Sequence, residues 1–307
     1  MKFAIVTHVK YKETDGGLNC LLTLAKALYD RGHDARVYIP PIYRCEEDKA
    51  NTIFARYIEL DEMEPDRIAV YIDITIGNPL NAKRIVRWLS YGSHYYDSYD
   101  KNEIVYYYGP FCKNNKTTKI LTPIHWPGGM ENKGLPRMRT LCHVIRKGWG
   151  DLSIQHIVNT IGIPAIPGVP VKDSLDVRWH SHQELIDTFN TTKYFYCYDP
   201  CSFLVVIAIA CGCIVIQHPI YGCTAEEWKY TFGLQGLNGI AYGAENVAHG
   251  EATIADAPND IAKLKKRCED SIDSFIRDLE TGNYTYEPCY KFNDSPYALQ
   301  HVTSRFH

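Results

Sequence analysis

Residues 1–40 carry an order of segments that few folds accept. Phe3 to Val6 is a short unbroken apolar run, which fits a parallel strand covered on both faces. Gly16-Gly17 follows, and then Leu18, Leu21, Leu22, Ala25 and Leu28 recur at helical spacing. Gly32 stops that helix, and Ala35 to Ile39 reads as the next strand. Strand, helix and parallel strand make a βαβ unit. Its right-handed crossover sets the strand ends and the helix N-terminus at one edge.

The alternation continues. Ile68 to Ile72 reads as a strand, Leu80 to Leu89 as a helix started by Asn78-Pro79, and Glu103 to Tyr107 as a strand. From Thr122 to Gly129 the chain becomes rich in Pro and Gly, with Gly134 and Pro136 just beyond, which marks a domain junction. A second α/β set follows. Leu141 to Ile145 is a strand, Ser153 to Thr160 a short helix, and Ile163 to Pro170 an edge strand and loop. Gln183 to Phe189 is a helix, Tyr194 to Tyr198 a strand, Phe203 to Ala210 a buried helix and Ile214 to Ile216 a strand. The amphipathic stretch Ile261 to Leu279 closes the domain. The pattern predicts an α/β protein of two Rossmann-like, doubly wound domains, residues 1–122 and 123–284, facing each other across a cleft. A length of 307 residues suits two domains.

Composition excludes some classes. A net charge of −3 gives no reason to expect a nucleic acid or an anionic membrane, so no nucleic-acid partner is expected. The longest apolar run, Phe203 through Cys211, is far below the roughly 20 residues of a membrane span. The opening segment lacks the apolar stretch and cleavage site of a signal peptide, so a cytoplasmic location is expected. Of the eleven cysteines, Cys197, Cys201, Cys211 and Cys213 sit in apolar runs, as reduced core thiols do. Zinc needs a second ligand pair in step with a first such as Cys197 and Cys201, and neither metal nor cofactor is expected.

Three groups of residues suit a nucleotide ligand. Gly16-Gly17 lets the backbone approach closely, and the helix N-terminus behind it suits a diphosphate; a plain tight turn is the other possibility. Arg139, Arg146 and Lys147, with Gly148 next, form a basic group. Arg146 and Lys147 stand at a strand end and can neutralise a diphosphate, or else form a solvated charged loop. In Tyr198-Asp199-Pro200-Cys201-Ser202, Asp199 can accept bonds from ribose hydroxyls and Ser202 can take a phosphate; an N-cap with an Asx turn is the bland alternative. Asp73, Gly77, Asn78 and Pro79 follow a strand of the first domain and can meet a sugar or an acceptor, and His94 and His125 are further polar candidates. There is no G-x-G-x-x-G, and strand two ends in Pro40-Pro41 rather than in an acid that grips ribose. Nor is there a phosphate loop with the G-x-x-x-x-G-K-[ST] pattern, so dinucleotide enzymes and P-loop NTPases lose ground. With no Asp-x-Asp triplet, the charge of a leaving diphosphate falls to Arg, Lys and helix N-termini.

Gly16-Gly17, the leucine-rich helix, Arg31-Gly32-His33 and the strand to Tyr38 resemble the opening of family 4 retaining glycosyltransferases. Ala208-Ile209-Ala210-Cys211-Gly212-Cys213-Ile214-Val215 resembles the family's Ala-Cys-Gly helix and strand. The resemblance implies the two-domain GT-B fold. It implies a nucleoside-diphosphate sugar donor, linked to UDP or GDP, and a glycan or glycoconjugate acceptor. It also implies transfer with retention, independence of metal, and a C-terminal segment crossing back to the first domain, here residues 285–307. Arg146, Lys147 and Asn78 would then serve catalysis. Gly16, Gly17, Arg139, Asp199 and Ser202 would hold the donor. The family's two glutamates fall at Asp199 and Ile207, so the second acid is lost. A nucleotide-sugar epimerase and a non-catalytic sugar-nucleotide binder are the alternatives.

Overall fold

A computed structural model describes residues 1–7, 15–41, 53–54, 56–90, 102–108, 119–145, 174–178, 180–199, 202–220, 224–231, 234 and 236–284. The chain forms two compact units that divide between His125 and Trp126, and residues 265–284 belong with the first.

Unit 1 contains β1 (Lys2–Val6), α1 (Gly16–Asp30), β2 (Asp34–Tyr38), β3 (Ile68–Ile72), β4 (Arg84–Leu89) and β5 (Ile104–Tyr107). The strands pair in parallel in the order β2-β1-β3-β4-β5. All five residues of β3 are buried, because both faces of the sheet are covered. The leucines of α1 pack with Phe3, Ile5, Val70 and Trp88 in the main core. Gly32, at φ +83°, turns the chain out of α1 toward β2, and the His33 amide caps the Leu28 carbonyl at 3.1 Å.

The segment expected to be a helix from Leu80 to Leu89 is instead a tight turn and β4. Asn78 makes the turn: its Oδ1 accepts from the Ala82 amide at 3.0 Å, its Nδ2 donates to the Ala82 carbonyl at 2.9 Å, and Asn81 sits at φ +49°. Ile85, Val86 and Trp88 then fit a pleated strand between β3 and β5 better than a helix surface.

Unit 2 contains β6 (Arg139–Val144), β7 (Leu175–Asp176), α2 (His182–Thr191), β8 (Thr192–Cys197), α3 (Leu204–Ala210), β9 (Ile214–Gln217), α4 (Ala225–Thr231), β10 (Ile240–Tyr242) and α5 (Val247–Thr253). Its parallel order is β10-β9-β8-β6-β7. Counted from its own first strand, this is 2-1-3-4-5, the order also found in unit 1. The helix expected from Ser153 to Thr160 and the edge strand expected from Ile163 to Pro170 lie outside the described residues.

The helix α6 (Ala257–Thr281) was expected to close the second domain, but from Lys265 onward it belongs to unit 1. Phe275 packs edge-on against Tyr106, ring centroids 4.9 Å apart, and lies 6.1 Å from Phe3. Asp278 accepts from the Tyr106 hydroxyl at 2.9 Å and from Lys119 at 2.7 Å. An apolar stripe defines a helix without naming the sheet that covers it. The return to unit 1 is therefore made by α6, and residues 285–307 lie outside the described residues. No described helix is long and apolar enough to cross a membrane.

Candidate functional site at the carboxyl edges of the two sheets

In a 2-1-3-4-5 sheet the crossovers run in opposite directions from the first strand. A crevice opens outside the carboxyl ends of strands one and three, and doubly wound domains bind ligands there. In unit 1 those ends are β1 and β3; in unit 2 they are β6 and β8.

At the unit 1 crevice, Gly16 and Gly17 form the first turn of α1 rather than a loop before it. Asp15 is the N-cap, and its Oδ1 accepts from the Leu18 amide at 2.9 Å. A Cβ on Gly16 would meet nothing within 4 Å, whereas one on Gly17 would lie 3.6 Å from Ile72 at the end of β3. The helix start is therefore close to the crevice, but the Asp15 carboxylate already uses one of its free amides. Thr7, just past β1, is buried, and its hydroxyl has no hydrogen-bond partner among the described residues. Asp73, just past β3, is buried and accepts from the Ser90 hydroxyl at 3.2 Å on both carboxylate oxygens.

The loop after β3 is held from beneath. Arg87 is fully buried, and its Nε donates to Glu103 at 2.6 Å. The same guanidinium donates to the carbonyls of Thr75 at 2.7 Å and Gly77 at 3.0 Å, and lies 5.0 Å from the centre of the Tyr71 ring. Tyr71 donates its hydroxyl to Asn78 Oδ1 at 2.7 Å, and burial pushes its pKa up to about 12. Asn78, expected to be catalytic, thus has both ends of its amide engaged in its own turn.

At the unit 2 crevice, β6 ends at Val144, and Arg146 and Lys147 follow Ile145 outside the described residues, as does Gly148. Arg139 is different. It opens β6, pairs with Thr192 at the start of β8, and is exposed at the amino edge of the sheet. At about 3.3 Å per residue, a strand of this length sets it about 16 Å from the carboxyl edge. Arg139 therefore lies away from the carboxyl edge, because residues at the two ends of one strand lie at opposite edges. Arg178, just past β7, is a cation at the carboxyl edge; its Nε donates to Asp176 at 2.6 Å.

Asp199 and Ser202 follow β8 as expected, but both are buried, so neither offers an open polar surface to a ribose or a phosphate. Nor does Ser202 cap the next helix: α3 starts at Leu204 behind Phe203, which makes no side-chain cap. The backbone here is firmly held. Gln217, at the end of β9, is fully buried, and its Nε2 donates to the carbonyls of Asp199 and His218 at 3.1 Å each. The Cys197 thiol also points to the Asp199 carbonyl at 3.3 Å.

Sequence reasoning missed His218. Its ring packs against Tyr198, centroids 5.2 Å apart, and its Nδ1 lies 3.3 Å from the Tyr196 hydroxyl. Tyr196 and Tyr198 stack on each other at 4.5 Å. Burial lowers the pKa of His218 and raises those of both tyrosines, which keeps the group neutral at pH 7. The signal was present in Gln217-His218, polar residues directly after a predicted strand, where a doubly wound domain places its ligand. Of the other histidines considered, His94 lies outside the described residues and His125 is partly buried at the end of unit 1. Among the described residues, no group of three or more His, Cys, Asp or Glu side chains could hold a metal ion.

No protein-family model matches the sequence, and no curated protein matches it. Solved structures do. An alpha-glucosyltransferase in complex with UDP and a 13-mer DNA containing a HMU base is 11% identical, covering 89% of this chain and 95% of its own, with a TM-score of 0.52. T4 phage BGT in complex with UDP and Mn2+ is 10% identical, covering 90% of this chain and 99% of its own, with a TM-score of 0.50. These results correct the expectation that excluded a nucleic-acid partner, since a chain of this fold is held with DNA. Net charge sums over the whole surface and does not report the charge of one binding face. At such low identity the likeness shows the fold: two successive doubly wound domains of the GT-B type.

Proposed function

We propose that this chain is a glycosyltransferase that moves a hexosyl group from a nucleoside-diphosphate sugar to an acceptor hydroxyl. One observation carries the reading: two successive sheets share the 2-1-3-4-5 order, and just past β6, whose end borders the crevice of the second, the sequence continues to Arg146-Lys147. The fold likeness to two transferases held with UDP supports the same reading.

In this reading unit 2 takes the donor and unit 1 the acceptor. The bond from the anomeric carbon to the diphosphate oxygen breaks as the sugar gains oxocarbenium character. Arg146 and Lys147 stabilise the negative charge that grows on the leaving group, Arg through paired bonds and Lys as a point charge. The acceptor oxygen bonds to the same face of the sugar, and the departing phosphate takes its proton, so configuration is retained. No metal is required.

The test is a transfer assay with UDP-, TDP- and GDP-sugars, with and without EDTA, against glycans and DNA containing an HMU base. We expect one donor class to yield a product heavier by one sugar, with the donor's anomeric configuration and no response to EDTA. Isomerised donor in the absence of acceptor would instead identify an epimerase. Changing Lys147 to Ala should lower turnover about a hundredfold with a smaller effect on donor affinity. Unchanged turnover would remove Lys147 from the site.

A further inference from the structure

We infer that His218 touches the nucleotide, donating its Nε2–H to an oxygen of the nucleoside diphosphate at the carboxyl edge of unit 2. This rests on the donor reading above. The other ring nitrogen, Nδ1, is already engaged. The Tyr196 hydroxyl lies 3.3 Å from Nδ1 and has no other hydrogen-bond partner among the described residues. Tyr196 is 1% exposed, so a proton on that hydroxyl that did not point at Nδ1 would be buried without an acceptor. The economical arrangement has the tyrosine donating to Nδ1. That fixes the neutral tautomer with its proton on Nε2.

Nε2 has no protein partner among the described residues, and it is not among the buried atoms that lack one. The side chain is partly exposed, at the end of β9 beside the end of β8. Tyr198 packs against the ring at 5.2 Å and Gln217 holds the His218 carbonyl at 3.1 Å, while, two residues on, the Tyr242 hydroxyl accepts from the Ile220 amide at 2.8 Å. A neutral imidazole with one oriented N–H matches an oxygen acceptor, and a pre-oriented donor binds with little loss of freedom. Tyr196 is the positioning residue: it sets which nitrogen carries the proton.

The experiment is calorimetric titration of UDP, TDP and GDP into the wild-type chain and into His218→Leu, His218→Gln and Tyr196→Phe, with each melting temperature recorded. Gln places its amide nitrogen near the position of Nε2 and keeps the donor; Leu removes it. We expect His218→Leu to lose about tenfold in affinity for the bound nucleotide, His218→Gln to stay within about threefold, and Tyr196→Phe to fall between. Affinity in His218→Leu within twofold of wild type would overturn the inference alone. So would equal losses in the Leu and Gln variants that track a lower melting temperature, since that is the signature of packing. If the wild-type chain binds none of the three nucleotides, the donor reading itself falls.

Discussion

Two residues show how strongly single side chains are committed here. Arg87 satisfies Glu103 and two loop carbonyls in a site closed to solvent. Truncating it to Met should destabilise unit 1 by about 3–5 kcal/mol, because the buried Glu103 charge loses its two-pronged guanidinium partner. Denaturant unfolding of Arg87→Met and of the double variant Arg87→Met/Glu103→Leu checks this: the double variant should be the more stable of the two. Equal stability would mean that the stranded charge is not the cause. Gly212 is the second case. It sits at φ +78°, and an added Cβ would come within 2.5 Å of both Arg137 and Asn132. Arg137 donates to the carbonyls of Cys211, Thr192 and Phe189, tying together the ends of α2 and α3. Gly212→Ala should therefore lower the melting temperature by several degrees, at a cost of about 1–3 kcal/mol. None of these partners could be read from sequence, since each lies on another element. Gly212 itself was legible as part of the Ala-Cys-Gly helix end. The strand-end rule placed Asp199 correctly along the chain but could not tell that it is buried.

Elements were legible where periodicity and end signals agree. Both signals coincide in α1, with its leucine spacing and Gly32, and the element was found. They conflict at β4, where Asn78-Pro79 imitates a helix start, and the apolar run of Arg84–Leu89 was misassigned. A run that short fits strand or helix, and only the flanking β3 and β5 decide between them. In α6 the periodicity gave the helix but not its partner. The partner is testable: Phe275 is fully buried between Tyr106 and Phe3, so Phe275→Ala should cost about 3–5 kcal/mol. Protection of the β1 and β5 amides from hydrogen exchange should fall with it. Loss confined to unit 2 amides would contradict the assignment of this helix segment to unit 1.

For the whole molecule, the doubled 2-1-3-4-5 order explains why the domain count and fold class could be read from alternation alone, while the site could be read only in part. Topology names the edge, but only packing says which side chains reach it. Acid sensitivity also belongs to this scale. His33, His143 and His218 all have pKa values lowered from 6.5, chiefly by burial. Well above pH 6.5 these groups are neutral in both the folded and unfolded chain and leave stability unchanged. As pH falls below that value the unfolded chain takes up protons first, so stability is lost progressively toward the lowered folded values. Melting temperature should be level from pH 8 to about 7 and fall below about 6.5. His143→Gln should flatten the fall, and a melting temperature that rises on acidification would refute the sign.

Whether this fold holds a sugar nucleotide is decided by thermal shifts with UDP-, TDP- and GDP-sugars, with NAD and ATP as controls and with EDTA in parallel. A ligand that binds only the folded chain at about a hundred times its Kd adds about 2.7 kcal/mol. Melting temperature should rise with one sugar-nucleotide class, indifferent to EDTA. No rise with any sugar nucleotide at millimolar concentration, or a rise with NAD alone, would contradict it.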